Sequence, residues 1–294
     1  MANAAKLMLA PRARMLLTGY PGAGKTGSIA SLANAGFKIR MLDFDGNPES
    51  LLRFTDPAKL PNIDILSFED ALSKMGQYVG TKGTPTAFMK SLDALDAWKY
   101  KDGETEVDLG ASKTWGTDTV VVLDGITGLG KAAFRHAQAM MNKTPLNTTQ
   151  AVWGLAIQNQ EAYIERLTSD HNPHHVIVIS HLKIVGPKAI VQNDDSVNQQ
   201  IKQEQADLVP TRLYPSALGW ALPQNIAQHF PVVVNLESKA KGTAVKRRFS
   251  VYPRQDMDLK LPVKNLEALA DLGPEDGLLR IFEAMSCYAP GHQK

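Results

Sequence analysis

The sequence GYPGAGKT at residues 19–26 constrains the fold of this chain more than any other stretch. It matches the phosphate-binding pattern G-x-x-x-x-G-K-[ST] at every fixed position. The apolar residues 15–20 predict a strand, and residues 27–36 predict a helix that ends at glycine. Strand, glycine-rich turn and helix therefore stand in the order that such a site requires. We expect residues 19–27, here called the phosphate loop, to bind a nucleoside triphosphate.

The residues of the phosphate loop have distinct expected roles. Its glycines let the backbone bend tightly and direct successive N–H groups inward, which forms a nest for phosphate oxygens. The start of the helix adds unpaired N–H groups and the positive end of the helix dipole. Lys25 is expected to reach the β- and γ-phosphates as a catalytic cation, and the hydroxyl of Thr26 to hold Mg²⁺. The expected nucleotide-binding residues are Gly19, Tyr20, Pro21, Gly22, Ala23, Gly24, Lys25, Thr26 and Gly27.

Two aspartates, Asp43 and Asp45, stand at the end of the next predicted strand, over residues 37–45. A Gly-Asn-Pro sequence then breaks the strand. Carboxylates at the carboxyl edge of a strand beside a phosphate loop are placed to meet Mg²⁺ or the attacking water. We therefore predict Asp43 as a metal ligand and Asp45 as a catalytic residue. Capping of the helix that comes next is the alternative function of both aspartates.

A second acidic strand end occurs at Asp124. Residues 119–124, TVVVLD, form a continuous apolar run that closes on this aspartate. Such a run predicts a strand that is buried on both faces. An acid at the end of a buried strand, roughly a hundred residues after a phosphate loop, is placed to hold the Mg²⁺ shell. We therefore predict Asp124 as a metal ligand.

A third buried strand is predicted over residues 175–181, HVIVISH, and it ends in Ser180 and His181. At this strand end we predict that His181 contacts the γ-phosphate region. The alternative is a histidine whose nitrogens are satisfied by the core or by solvent. The long polar stretch after it, residues 183–211, is of a kind that is usually functional or disordered inside a compact domain.

Residues 239–248 carry five cations in ten positions, between two predicted strands of a hairpin. One interpretation is a solvated hairpin whose charges protect a sheet edge. The other is a contribution of positive charge to a phosphate, either of a neighbour's nucleotide or of a polynucleotide backbone. The candidate cations are Lys246, Arg247 and Arg248.

Composition limits the class of protein. The net charge of +2 is close to neutral, so a polyanionic partner would have to be held by local clusters of charge. The single Cys287 excludes an intramolecular disulfide and a cysteine metal cage. The N-terminal residues lack the apolar core of a signal peptide, and the apolar runs are too short to span a bilayer. We expect a soluble protein of the cytoplasm.

The remaining segments carry weaker signals. A further strand is indicated over residues 62–67 and an amphipathic helix over residues 85–98. The polar residues 99–117 predict a surface loop before the next buried strand. Residues 266–285 predict helical structure interrupted by a Gly-Pro pair.

The order of these motifs resembles the RecA-type ATPase core. Among such proteins it is most similar to the phage core-only RecA-like proteins, the Sak-type single-strand annealing ATPases. The resemblance covers roughly residues 12–255 and implies an α/β P-loop NTPase core. Its mostly parallel sheet would be flanked by helices and end in a C-terminal antiparallel hairpin. An N-terminal arm at residues 1–11 and a helical extension at residues 256–294 would complete the chain.

The resemblance also implies roles at the strand ends. In RecA-like recombinases the strand after the phosphate-loop helix ends in Asp-x-Glu-Gly, whose glutamate activates the hydrolytic water. Residues 43–46, DFDG, match this pattern except that the carboxylate of Asp45 is one methylene shorter. Glu49 is the substitute that we consider for the catalytic carboxylate.

Further implied roles concern DNA and neighbouring subunits. In these recombinases a polar residue that senses the γ-phosphate leads into a mobile DNA-binding loop. His181 and residues 183–205 match it, which makes Lys183 and Lys188 candidate DNA-binding residues. A second DNA-facing loop comes after the Mg²⁺-binding aspartate, which adds Lys131 and Arg135. The cluster of Lys246, Arg247 and Arg248 resembles the interface cations that reach a neighbour's nucleotide.

The implied function is hydrolysis of ATP with Mg²⁺ by a protein that binds single-stranded DNA and promotes annealing or recombination. We expect a homo-oligomer, as a ring or filament, in the cytoplasm of a bacterial host, with a single-strand DNA-binding protein as a partner. Two alternatives stay open. One is an assembly or motor ATPase that does not bind DNA, and the other is a nucleotide or small-molecule kinase. No arginine-rich lid comes after Asp124, which argues against the kinase, whereas the few aromatics near the DNA candidates, Phe134 and Trp153, weaken the DNA assignment.

Overall fold

A computed structural model of the chain describes residues 11–185, 211–241, 244–269 and 272–291. Most of the expected N-terminal arm lies outside the described residues. Most of the polar stretch after His181, including Lys188, lies outside them as well.

The strands and helices alternate along much of the described chain. The strands are β1 (Arg14–Gly19), β2 (Lys38–Asp43), β3 (Ile63–Ser67), β4 (Leu72–Met75), β5 (Tyr78–Thr81), β6 (Lys99–Asp102), β7 (Thr105–Asp108), β8 (Thr119–Asp124), β9 (His175–Val185), β10 (Arg212–Pro215), β11 (Val232–Lys241) and β12 (Ala244–Ser250). The α-helices are α1 (Lys25–Ser28), α2 (Ala30–Asn34), α3 (Glu49–Phe54), α4 (Ala87–Asp96), α5 (Ile126–Met140), α6 (Gln150–Thr168), α7 (Ala221–Asn225) and α8 (Gly277–Ala284). Short 3₁₀ segments occur at Pro57–Asn62, Ser112–Thr114, Ile226–His229 and Glu267–Leu269.

The central sheet has the strand order β12-β11-β1-β9-β8-β2-β3. Every neighbouring pair along this order is parallel except β11 and β12, which form an antiparallel hairpin at one edge. Strand β10 pairs antiparallel with the last four residues of β9. This arrangement confirms the RecA-like α/β fold, including the C-terminal hairpin.

The inner strands are apolar on both faces because both faces of the sheet are covered. Along β8, Val120 and Val122 belong to one core, whereas Val121 and Leu123 belong to the other. The first core also holds apolar side chains of α2 and α8, and the second those of α4, α5 and α6. Helices on both faces are what a parallel sheet requires, and they explain the continuous apolar runs.

The register of the sheet aligns the ends of four strands. Gly19 at the end of β1 lies opposite His181 of β9, and Asp43 at the end of β2 lies opposite Asp124 of β8. Asp124 in turn lies opposite Ile179 of β9. The phosphate loop and the three polar strand ends therefore meet at one edge of the sheet.

Three segments differ from the sequence predictions. The strand predicted over residues 175–181 continues to Val185, into the stretch predicted as a loop. The expected surface loop at residues 99–117 contains the β6–β7 hairpin, in which Lys99 is paired with Asp108 across the strands by an ion pair of 2.9 Å. In residues 256–294, the described α-helix is limited to Gly277–Ala284. This segment packs Leu272 and Phe282 into the same core as β1 and α2, and the domain boundary at residue 255 stays a prediction.

Within the described ranges, no helix combines the length and the apolar composition that a bilayer crossing needs.

Candidate nucleotide-binding site

The phosphate loop lies between the end of β1 and the start of α1. Gly24 caps α1 in the left-handed region, with φ of 97°, a conformation that glycine adopts without strain. At position 19 there is no room for a side chain, since a Cβ on Gly19 would lie 2.6 Å from the carbonyl oxygen of Leu236 on β11. The glycines are thus required by the path of the chain as well as by the motif.

Lys25 lies almost completely buried at the centre of the site, with 6% of its surface exposed. Its Nζ donates to the carbonyl oxygens of Gly19 at 2.9 Å and Tyr20 at 3.0 Å. Burial lowers the pKa of Lys25 to about 8, against the opposing effect of the carboxylates of Asp124 and Asp45. Because burial penalises the ammonium, a phosphate anion placed beside Lys25 would stabilise its charged form.

Thr26 and Asp124 form the second contact of the site. The Thr26 hydroxyl donates to Oδ2 of Asp124 at 2.7 Å. Burial raises the pKa of Asp124 to about 6, and the neighbouring carboxylates of Asp45 and Asp43 also raise it, whereas the Thr26 hydrogen bond lowers it. A hydroxyl and a carboxylate are the hard oxygen donors that Mg²⁺ prefers, and a cation there would offset the crowding of negative charge. These residues fit a Mg²⁺ site.

His181 connects the lysine with an aspartate. Its Nδ1 lies 3.1 Å from Nζ of Lys25, and its Nε2 lies 3.6 Å from Oδ2 of Asp45. Because an ammonium has no lone pair, Nδ1 must accept, which leaves the proton on Nε2, the nitrogen that faces Asp45. Lys25, His181 and Asp45 therefore form a polar row along the strand ends.

The two aspartates after β2 have different surroundings. Asp43 is buried, and its Oδ1 accepts from the backbone N–H groups of Asp45 at 3.1 Å and Gly46 at 2.8 Å. Its Oδ2 accepts from the Ser67 hydroxyl at 3.0 Å. These contacts stabilise the turn after β2 and do not cap α3, which has no side-chain cap. Both lone pairs of Oδ1 are used by them, whereas Oδ2 keeps one for a metal. Asp45 is the exposed carboxylate of the pair.

A cleft of about 1280 Å³ runs along the strand ends. The cleft is lined by predicted site residues of the phosphate loop, the strand ends, α5 and β12. They are Pro21, Gly22, Gly24, Lys25, Thr26, Gly27, Asp43, Asp45, Asp124, Lys131, Arg135, His181 and Arg247. Ala23 of the phosphate loop is buried behind it, and Tyr20 is exposed.

Glu49, the alternative catalytic carboxylate, is exposed in the first turn of α3. Its neighbours Asn47 and Ser50 line the cleft, and Glu49 does not. The position of Glu49 therefore favours Asp45 over Glu49 as the carboxylate that faces the phosphate loop.

Gly125 is a site residue that the sequence motifs did not identify, although it directly follows the predicted metal ligand Asp124. It caps α5 with φ of 94°, and a Cβ there would lie 2.3 Å from Oδ1 of Asp45. The backbone at the end of β8 thus lies so close to Asp45 that a side chain at position 125 would displace its carboxylate. The signal in the sequence is the pair Asp124–Gly125, since a glycine at the end of a strand often marks a place where another group approaches the backbone closely.

Replacement of Gly125 with alanine is expected to displace Asp45. We expect the rate of ATP hydrolysis to fall at least about tenfold and the free energy of unfolding to fall by about 1–3 kcal/mol, because alanine is strained at this φ. Phosphate release and urea denaturation measure the two effects. The matched control is Gly154→Ala in α6, where a Cβ meets no atom within 4 Å. This control should stabilise the helix by about 0.5–1 kcal/mol without changing the rate. Normal hydrolysis by the Gly125 variant would show that the carboxylate need not be held there.

The candidate DNA-binding residues lie in two places. Lys131 and Arg135 project from α5 into the cleft, and Arg135 lies 3.8 Å from the buried carboxylate of Asp70. Asp70 was not identified from the sequence, and its other oxygen accepts from the N–H groups at the start of α4. Lys183 is exposed on β9, where it pairs with β10 and does not line the cleft. The structure therefore places two of the four DNA candidates with the nucleotide site, and Lys188 lies outside the described residues.

The three cations of β12 do not share one environment. Lys246, Arg247 and Arg248 are all exposed, yet Arg247 alone of the three lines the cleft. Its side chain lies against Gly24 of the same chain, with Cδ 3.1 Å from the position of a Cβ on that glycine. The family resemblance implied one interface role for all three cations, and the structure separates Arg247 from the other two.

A family model and a number of solved structures resemble this chain, and two of the structures are described here. The family model, described as AAA domain, matches residues 12–250. A KaiC-like protein from Pyrococcus horikoshii OT3 is similar in structure over 83% of this chain and 80% of that chain, at 11% identity and a TM-score of 0.36. The flagellar accessory protein FlaH from Methanocaldococcus jannaschii is similar over 82% and 78%, at 8% identity and a TM-score of 0.32. At these scores neither structure bears on the function of this chain. No curated protein matches the sequence.

Proposed function

Since this chain belongs to the AAA domain family, we propose that it is a RecA-like ATPase whose nucleotide state controls its binding of single-stranded DNA. The proposal includes a Sak-type role in annealing or recombination, carried out by a homo-oligomeric ring or filament. A single-strand DNA-binding protein is the proposed further partner.

The observation that carries the ATPase half is the meeting of three features at one sheet edge. They are the phosphate loop, the Thr26–Asp124 contact and the row formed by Lys25, His181 and Asp45. Each feature supplies a group that phosphoryl transfer to water needs: donors for the phosphates, oxygen ligands for a cation, and a carboxylate for the nucleophile.

In the proposed reaction a water molecule attacks the γ-phosphorus of ATP, and the bond to the β–γ bridging oxygen breaks to give ADP and phosphate. Lys25 and the N–H groups of the phosphate loop hold the β- and γ-phosphates. Asp45 orients the water and accepts its proton, and His181 keeps Asp45 and Lys25 in place. Mg²⁺ bound beside Thr26 and Asp124 would supply positive charge for the phosphate oxygens.

The DNA half rests on α5. Lys131 and Arg135 place positive charge on the wall of the same cleft, where a polynucleotide backbone would be close to the γ-phosphate. Phe134 precedes Arg135 on this helix, and the partly exposed Trp153 ring packs on it with ring centroids 4.3 Å apart. Aromatic faces and cations together are what binding of single strands requires.

Two observations favour the assembly or motor ATPase instead. Arg135 already faces the carboxylate of Asp70, and Phe134 and Trp153 contact each other. In that alternative, the cations of β12 serve only contacts between copies. Lys246 and Arg248 are the candidates for reaching a neighbour's nucleotide in either case.

The test is ATP hydrolysis with and without single-stranded DNA at about 50 mM and about 200 mM salt. We expect DNA to raise the rate, and the effect to weaken at the higher salt concentration. Lys131→Ala should weaken DNA binding about 3–10-fold and lower the salt slope by about one, as for a lost phosphate contact. Lys90→Ala, an exposed lysine of α4 outside the cleft, is the control and should change neither.

Other outcomes of this test identify the other functions. A rate that ignores DNA at both salt concentrations would contradict the DNA half and favour the assembly ATPase. Transfer of the γ-phosphate to an added nucleoside rather than to water would identify a kinase.

A further inference from the structure

The face of β12 on which Arg247 lies is set by a neighbouring core residue. Phe249 is buried, and its ring packs so closely on Gly277 of α8 that a Cβ there would lie 2.5 Å from it. Side chains two positions apart share one face of a strand, so Arg247 lies on the same face as Phe249. Lys246 and Arg248 lie on the opposite face. Packing of the core therefore fixes which cation of the three turns towards the phosphate loop of its own chain.

Arg247 meets the phosphate loop at Gly24. Its Cδ and Nε lie 3.1 Å and 3.4 Å from the position of a Cβ on Gly24, and Cδ2 of Leu236 on the paired strand lies 3.9 Å from the same position. The side chain also lines the cleft together with Lys25 and Thr26. Among the described residues, Arg247 has no hydrogen bond and no ion pair.

This arrangement concentrates positive charge. The backbone N–H groups of the phosphate loop already create a positive potential at its centre, and Lys25 adds a buried ammonium. The guanidinium of Arg247 lies beside these positive groups, and among the described residues no carboxylate is bound to it. Its charge is therefore repelled unless an anion lies between the guanidinium and the phosphate loop. A planar guanidinium fork also matches the geometry of phosphate oxygens better than an ammonium does.

We propose that Arg247 binds the polyphosphate of the nucleotide held by its own chain, in cis. This inference rests on the proposed nucleotide binding and deepens it, because it assigns a phosphate ligand outside the phosphate loop. It also replaces, for this residue, the expected role as an interface cation. On β12, Arg247 thus contributes to the nucleotide site of its own chain, while Lys246 and Arg248 lie on the face of the strand that points away from that site.

The first test is the affinity for a fluorescent, non-hydrolysable ATP analogue at dilutions where the wild-type protein sediments as a monomer. We expect Arg247→Ala to weaken binding of the analogue about 10–100-fold, the range for loss of a charge-assisted hydrogen bond to phosphate. Arg247→Lys should recover part of this loss, because it keeps the charge without the fork. The matched control is Arg53→Ala, an exposed arginine outside the cleft, which should bind within about twofold of wild type. Equal melting temperatures establish that the variants fold.

The second test separates cis from trans by mixing Arg247→Ala with Lys25→Ala at an ATP concentration too low for either variant alone to hydrolyse it measurably. If Arg247 acted on a neighbour's nucleotide, an intact phosphate loop and an intact Arg247 would meet in the mixed oligomer and hydrolysis would reappear. Action in cis gives no recovery, because neither chain holds a complete site. Recovery on mixing, or an unchanged affinity of Arg247→Ala for the analogue, would overturn the inference. Failure of the wild-type protein to bind the analogue would overturn the proposed function itself.

Discussion

Lys25→Ala is expected to lower the affinity for ATP at least about 100-fold and to remove measurable hydrolysis. The ammonium of Lys25 is almost completely buried, and two of its acceptors, the carbonyls of Gly19 and Tyr20, belong to the phosphate loop itself. A bound triphosphate offers charged acceptors instead, and each charge-assisted hydrogen bond contributes about 1.5–3 kcal/mol. Two such bonds account for the expected loss. Calorimetric titration with ATP and phosphate release measure the two effects.

The control for this variant is Lys99→Ala on the β6–β7 hairpin, an exposed lysine in an ion pair with Asp108. Its affinity for ATP should stay within about twofold of wild type, since exposed ion pairs contribute little. The melting temperature of Lys25→Ala shows whether the buried substitution is tolerated. A folded Lys25→Ala protein that binds ATP within about threefold of wild type would contradict the assignment of the phosphate loop.

Asp45→Asn is expected to separate binding from chemistry. Hydrolysis should fall about 10²–10⁴-fold, the range for loss of a positioned general base, while the affinity for ATP stays within about threefold. The reason is geometric: Asp45 is exposed to the cleft and faces His181, whereas Asp43 is committed to its own turn. Phosphate release and analogue binding on the same preparation give both numbers.

Glu49→Gln is the companion to this variant, because the sequence left Glu49 as a substitute for the catalytic carboxylate. Glu49 lies outside the cleft, so its replacement should change the rate less than about twofold. If Glu49→Gln lost the rate and Asp45→Asn kept it, the assignment of the carboxylate would have to be exchanged.

The edge of the sheet that holds the site could be predicted from the sequence because buried parallel strands leave a strong signal. Residues 119–124 of β8 and 175–181 of β9 are apolar runs that close on a polar residue, and β1 and β2 end at a glycine and an aspartate. Parallel pairing brings these positions to one edge. The phosphate-loop motif identifies which edge matters. Local sequence was therefore sufficient to indicate Lys25, Asp45, Asp124 and His181 as neighbours.

The features that could not be predicted depend on register and long-range packing. Asp43 and Asp45 are the same residue type two positions apart, and only the turn decides that Asp43 accepts two N–H groups. Arg135 faces Asp70, which lies 65 residues earlier in the chain, so no local pattern pairs them. Arg247 is one of three consecutive cations, and the burial of Phe249 decides which way it points.

Strand β9 is long enough to run from the centre of the sheet to the antiparallel pair that its last four residues form with β10. Residues 175–181 lie between β1 and β8, and the last four residues continue beyond them to pair with β10. His181 stands at that junction, with one nitrogen at Lys25 and the other towards Asp45. No break separates the two halves of this strand, so the residue that lies between Lys25 and Asp45 and the residues that pair with β10 belong to one continuous element.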